Sequence, residues 1–246
     1  MSRLNFDFSG ERYCVIGASS GIGKEIALSL ARSGAEVLAV GRNKDRLRAL
    51  HEQNPESIIA TSADVTDLFA LDLALKNFIQ SKGKLKGGVY SAGIFEYTPI
   101  RSYAQDVAEQ IMRVGFWSAM DFLKLILKPR YTVPSASIVF LSSVAAITNK
   151  KGIFAYSAMK SALNSAVKTA AKEIANKGHR INSICPGFVI SPMTEEFLVS
   201  DTSIEQQHLL GLGKTEDVAN ATLFLLSDSA RWVTGTNLII DGGYTA

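Results

Sequence analysis

Short runs of β-branched and aliphatic residues alternate along the chain with longer stretches in which apolar positions recur every three or four residues. Arg12 to Ile16 is the first such run, followed by helical periodicity over Ser20 to Ser33, a second run at Glu36 to Val40, a helix over Lys44 to Gln53 and a third run at Ser57 to Thr61. The pattern is βαβαβ. It continues with helical periodicity over Leu68 to Lys82, Tyr103 to Leu127, Ala155 to Lys177 and Thr215 to Leu226, separated by strand-like runs at Gly87 to Tyr90, Ser137 to Leu141, Arg180 to Ile184 and Asn237 to Ile240. Runs this uniformly apolar are strands covered by helices on both faces. The expected architecture is therefore α/β: a single-domain, doubly wound Rossmann fold over residues 1–246 with about seven parallel strands. The longest stretch with neither period, Gly187 to Gly213, leaves the carboxyl edge of the sixth strand, which suits a substrate lid; a surface loop without a role would read the same way.

Composition agrees with one well-packed unit and removes several classes of function. With 246 residues, 47% of them hydrophobic and 20% charged, the chain can bury a full core. Its net charge of +3 is spread without a long basic run, so neither nucleic acid nor a membrane surface is an expected partner. Cys14 and Cys185 are far apart in apolar surroundings and read as small core residues. His51, His179 and His208 are scattered, and no grouping has metal-ligand spacing, so no metal is expected. Met1 to Gly10 is too polar for a signal peptide and no apolar run reaches membrane-spanning length, which points to a soluble, cytoplasmic protein.

The first strand runs directly into Gly17-Ala18-Ser19-Ser20-Gly21-Ile22-Gly23, which opens a helix. Three glycines there allow a tight turn and close backbone approach to a pyrophosphate, with free N–H groups and the positive end of the helix dipole facing the anion. After the second strand, where a carboxylate would bind the 2′-hydroxyl of NAD, the chain has Gly41-Arg42. A glycine leaves room for a 2′-phosphate and the guanidinium can bind it, so NADP(H) is expected in preference to NAD(H). Asp64-Val65 and Ser91-Ala92-Gly93 follow the third and fourth strands at the same edge and would border the cofactor; an N-cap and a plain turn are the simpler readings of Asp64 and Gly93.

Candidate chemistry lies further along. On a helix Tyr156 and Lys160 share a face, where the ammonium can stabilise the phenolate and bring the phenol's pKa down from its usual value of about 10. Ser143, just past the fifth strand, would add a hydroxyl at the edge where open α/β sheets place their ligands.

Together, the glycine loop, Asp64-Val65, Ser91-Ala92-Gly93, Ser143, Tyr156-x-x-x-Lys160, Asn182, Pro186-Gly187 and Asp241-Gly242-Gly243 resemble the short-chain dehydrogenase/reductase family over essentially the whole chain. The resemblance implies hydride transfer between a nicotinamide and a carbonyl or alcohol. Tyr156 would be the acid/base, Ser143 would polarise the substrate oxygen, and Lys160 would bind the nicotinamide ribose and lower the tyrosine pKa. Pro186-Gly187 would flank the nicotinamide, with Val189 beside them. The closing segment Thr234-Gly235 to Asp241-Gly242-Gly243 is similar to that of bacterial 3-oxoacyl-carrier-protein reductases, which implies a homotetramer, or a homodimer within it. A carrier-bound 3-oxoacyl thioester is then the first substrate expected, with Arg101, Lys124, Lys128 or Arg130 as a patch for an acidic carrier or as ordinary surface charge. A keto-sugar or specialised carbonyl is the alternative, and a dinucleotide-binding regulator with impaired catalysis is the alternative from another class.

Three positions depart from the family pattern. Ile16 replaces the usual threonine and Ser91 the usual asparagine beside the glycine loop. Many members also carry, in the helix before the Ser143 strand, an asparagine that holds a water in the proton relay to the lysine. Met112-Arg113-Val114-Gly115-Phe116-Trp117 contains none. Either Arg113, a second cation, or Gly115, a gap, occupies its place.

Overall fold

The computed structural model describes residues 6–194 and 203–246. These form one seven-stranded parallel sheet: β1 Arg12–Ile16, β2 Glu36–Gly41, β3 Ile58–Ser62, β4 Leu85–Tyr90, β5 Thr132–Leu141, β6 Arg180–Pro186 and β7 Asn237–Ile240, in the order β3-β2-β1-β4-β5-β6-β7. The chain winds outward from β1 to β3, then returns to place β4 on the other side of β1. Ile16 is in register with both Val40 and Tyr90, so the carboxyl ends of β1, β2 and β4 lie level where the winding reverses, and the loops leaving them diverge around a crevice.

Each strand feeds two cores. In β1, Cys14 and Ile16 pack on one face, while Tyr13 and Val15 pack on the other. This two-sided burial is why the strands are continuously apolar. The first face is covered by α3 Leu68–Lys82, α4 Gln105–Met112, α5 Ser118–Ile126 and, after the single turn α6 Ala145–Thr148, α7 Phe154–Ile174; the second by α1 Gly21–Arg32, α2 Lys44–Gln53 and the helix Thr215–Leu226. Polar residues punctuate these helices as the sequence suggests. Asn43 accepts the Arg46 N–H at the start of α2, and Asp67 accepts the Phe69 and Ala70 N–H groups at 3.0 Å at the start of α3.

The region expected as a single helix over Tyr103 to Leu127 is instead broken by a π-turn at Arg113–Trp117. The Ser118 N–H reaches the Arg113 carbonyl, and the Ser118 hydroxyl bonds the same oxygen at 2.9 Å. The Tyr90 hydroxyl, from the adjacent strand, donates to the Val114 carbonyl at 2.6 Å. β5 begins five residues earlier than its apolar run, at Thr132, with Ser135 at φ 62° and a register shift opposite Leu85 to Gly87. Such an irregularity has no periodic signature. Of the lid expected at residues 187–213, residues 195–202 lie outside the described residues; in the remainder, Val189 bridges to Gly213 and a short helix spans Ser203–Gln206.

Candidate active site

The strands' carboxyl edge opens on a cavity of about 720 Å³, lined by Gly17, Ser19, Ser20, Gly21 and Ile22 of the first loop. Gly17 has φ +83°, and a Cβ there would lie 2.7 Å from the Ala92 nitrogen, so only glycine fits. A side chain on Gly23 would collide with the Gly17 carbonyl, which explains why Gly23 sits beneath the loop without lining the cavity. Gly41 lies similarly close under Ser19. Ser20 is extended (φ −164°), and no side chain caps α1, so its first N–H groups face the cavity unopposed by a local acceptor side chain.

One end of the cavity is cationic. Arg42, Asn43 and Arg46 line it together with Asp64 and Val65. Asp64 is not a helix cap, since Asp67 fills that role for α3. Its carboxylate accepts the Thr66 N–H and hydroxyl at 2.8 and 2.7 Å, and these bonds, with the Arg42 guanidinium, hold it below the usual carboxylate range. Arg46 was not singled out from the sequence, although its spacing of four from Arg42 at a helix start is the signal that would have found it. Ser91, Ala92 and Gly93 line the floor, joined by Val114 of the π-turn.

At the other end stand Tyr156, Lys160 and Pro186, with Leu141 and Ser142. Ser143 does not itself line the cavity; its hydroxyl accepts the Ala145 N–H at 3.1 Å and is close enough to Tyr156 to act on the phenol. Lys160 lies one turn further along α7 with its Nζ 5.5 Å from the Tyr156 ring centroid. Lys160 is 5% exposed, and its ammonium donates to the Leu141 carbonyl at 2.6 Å. Burial lowers the Lys160 pKa to about 8. The Tyr156 pKa goes the opposite way from the sequence expectation: burial pushes it up to about 12, and the opposing Ser143 hydrogen bond is the smaller effect. Sharing a helix face therefore did not by itself lower the phenol's pKa, because desolvation of the phenol is the larger effect.

The remaining expected residues are placed as follows. Gly187 packs against Asp241, and Val189 faces a second cavity of about 290 Å³ behind Pro186; neither lines the main one. Ser191, Pro192 and Met193, which fall in the stretch expected as a lid, do line it, though they were not singled out individually. Of the two positions without an asparagine, Arg113 points away, donating to the Thr66 carbonyl at 3.1 Å and lying 3.6 Å from Asp121, so it brings no second cation to Lys160. Gly115 is the residue facing α7, and its gap is filled by Met159. Among the described residues no cluster of His, Cys, Asp or Glu could hold a metal ion, and no helix is long and apolar enough to cross a membrane.

A sequence model described as an enoyl-(acyl carrier protein) reductase family matches residues 17–245. The chain belongs to the short-chain dehydrogenase/reductase family. It is 31% identical to the 3-oxoacyl-[acyl-carrier-protein] reductase FabG of Thermotoga maritima, over 94% of this chain and 97% of that protein. It is equally similar, at 31%, to the L-xylulose reductase of Caenorhabditis elegans, over 98% of each. A crystal structure of a short-chain dehydrogenase/reductase of the glucose/ribitol dehydrogenase type from Brucella melitensis superimposes with a TM-score of 0.92 at 28% identity, covering 98% of this chain and 99% of that one. The protein is thus an oxidoreductase of a family that binds a nicotinamide dinucleotide. The site fits such a group: the glycine loop admits backbone approach, the α1 terminus and two guanidiniums suit phosphates, and Tyr156 and Lys160 stand at the far end.

Proposed function

We propose that this protein is an NADPH-dependent reductase of a carbonyl to a secondary alcohol, with Ser143, Tyr156 and Lys160 as its catalytic residues. The observation that carries the reading is one cavity that holds the Tyr156 phenol, kept protonated, and the Lys160 amine at the end opposite Arg42 and Arg46. Bound NADPH supplies the hydride. Arg42 and Arg46 hold the 2′-phosphate end; the first loop and the α1 terminus hold the pyrophosphate. Asp64, Val65, Ser91, Ala92 and Gly93 border the nucleotide, and Pro186, Gly187 and Val189 back its nicotinamide end. Ser143 donates to the carbonyl oxygen, Tyr156 delivers its proton there, and the Lys160 ammonium stabilises the resulting charge.

A 3-oxoacyl thioester is the first substrate to try, in view of the similarity to FabG. The carrier patch has less support, since Lys128 and Arg130 are both directed at Asp72, at 3.7 and 3.3 Å. A second reading, an apolar specialised carbonyl or a keto-sugar, is favoured by the Phe95 ring standing edge-on to Tyr156 at 5.1 Å and by the L-xylulose reductase relative. The regulator reading loses ground because Tyr156 and Lys160 share the cavity with Arg42 and Arg46. The segment 187–213 is the proposed lid, and a cytoplasmic homotetramer or homodimer the proposed form.

The test is NADPH oxidation with a short 3-oxoacyl thioester and with L-xylulose, beside NADH and beside Tyr156→Phe. Turnover that vanishes in Tyr156→Phe while NADPH still binds supports the assignment. Turnover that survives the substitution removes Tyr156 from the chemistry.

A further inference from the structure

Tyr90 is a buried hydroxyl that the proposed chemistry does not use. It ends β4, is 1% exposed, and packs its ring against Phe122 and Phe140. Its hydroxyl leaves this apolar core to donate to the Val114 carbonyl within the π-turn. Val114 lines the nucleotide cavity, and its neighbour Arg113 reaches the Thr66 carbonyl beside Asp64 and Val65. The turn thus stands against the end of the cavity that carries Arg42. It is held from the opposite side as well. A Cβ on Gly115 would come within 2.5 Å of the Sδ and Cε of Met159, a fully buried side chain of α7 directly before Lys160. Glycine lets the turn approach α7, and the adaptable thioether fills what remains.

We propose that Tyr90 and Met159 are positioning residues for nucleotide binding: they pin the π-turn from strand and helix so that Val114 forms the wall of the adenosine half of the site. This rests on the nucleotide reading of the cavity. Without the Tyr90 hydroxyl, the Val114 carbonyl loses its bond from β4, and the turn relaxes toward an ordinary helix, carrying Val114 off the wall.

The experiment measures dissociation constants for NADPH and for adenosine 2′,5′-bisphosphate, which occupies only the adenosine half. The chains compared are the parent, Tyr90→Phe, Met159→Ala, Met159→Leu and a control, Thr132→Val. The control removes another buried hydroxyl-to-carbonyl bond, from Thr132 to Ile126 at 2.9 Å, away from the cavity. Tyr90→Phe and Met159→Ala are expected to weaken both ligands roughly tenfold, the scale of one lost buried hydrogen bond. Met159→Leu, which keeps the volume, and Thr132→Val, with a comparable loss of thermal stability, stay within about twofold of the parent. Equal weakening in Tyr90→Phe and Thr132→Val, or none in either, overturns the positioning role. A parent chain that binds neither ligand overturns the nucleotide reading itself.

Discussion

At the residue scale, burial acts on Tyr156 and Lys160 in opposite directions, keeping the phenol protonated and the amine readily deprotonated. The proposed reduction uses the phenol as acid and the lysine as ammonium. The ammonium is present below about pH 8 and is lost as pH rises through that value, while the phenol holds its proton to about pH 12. The kcat/KM for NADPH, which reports the free protein's groups, should therefore fall as pH rises past about 8 during reduction. A flat profile from pH 6 to 9.5 would remove Lys160 from the rate. The cationic end makes a separate prediction. Arg42→Ala and Arg46→Ala should each raise the NADPH dissociation constant roughly tenfold, one charge-assisted contact apiece, and leave NADH binding nearly unchanged. Arg42→Lys should restore only part of the loss, since a point charge replaces a planar fork. Equal effects on both nucleotides in a titration would argue against a 2′-phosphate site.

At the element scale, helices with local signals were legible to the residue. α2, α3 and Thr215–Leu226 have the bounds that periodicity gave them. The π-turn was not legible, because it is decided by contacts distant in sequence: Tyr90 on Val114 and Met159 on Gly115. The same contacts resolve which residue faces α7. Gly115→Asn should cost about 1 to 3 kcal/mol by overpacking against Met159, and Met159→Ala in the same chain should return much of it. Arg113→Asn, at an exposed position, should stay within about 0.5 kcal/mol of the parent. Thermal or urea unfolding reads all three, and a Gly115→Asn chain as stable as the parent would show that the wedge yields freely.

At the scale of the whole molecule, β7 pairs only with β6 among the described residues, and exposed apolar groups lie near that edge: Ile239 is 41% exposed and Trp232, in the preceding loop, 91%. A tryptophan so exposed beside an unpaired strand fits a face covered by a second copy. Trp232→Glu should shift sedimentation from a tetramer or dimer to smaller species with the fold intact by circular dichroism. A monomeric parent chain would refute the homo-oligomer.

The sequence by itself determined the alternation of strands and helices, the glycine loop with its arginine, and the placing of Tyr156 and Lys160 on one helix face, because each rests on periodicity or spacing that local backbone geometry converts directly into position. Tertiary structure alone decided that Arg46, Val114 and Met193 share the cavity with the glycine loop, while Gly187 and Val189 lie outside it. It also decided that Lys160 donates to the Leu141 carbonyl, and that Tyr156 is raised in pKa when helical spacing alone had it lowered. The physical reason is common to these cases. Desolvation and long-range hydrogen bonds depend on what the rest of the chain packs around a group, and a four-residue spacing fixes only which face of the helix that group occupies.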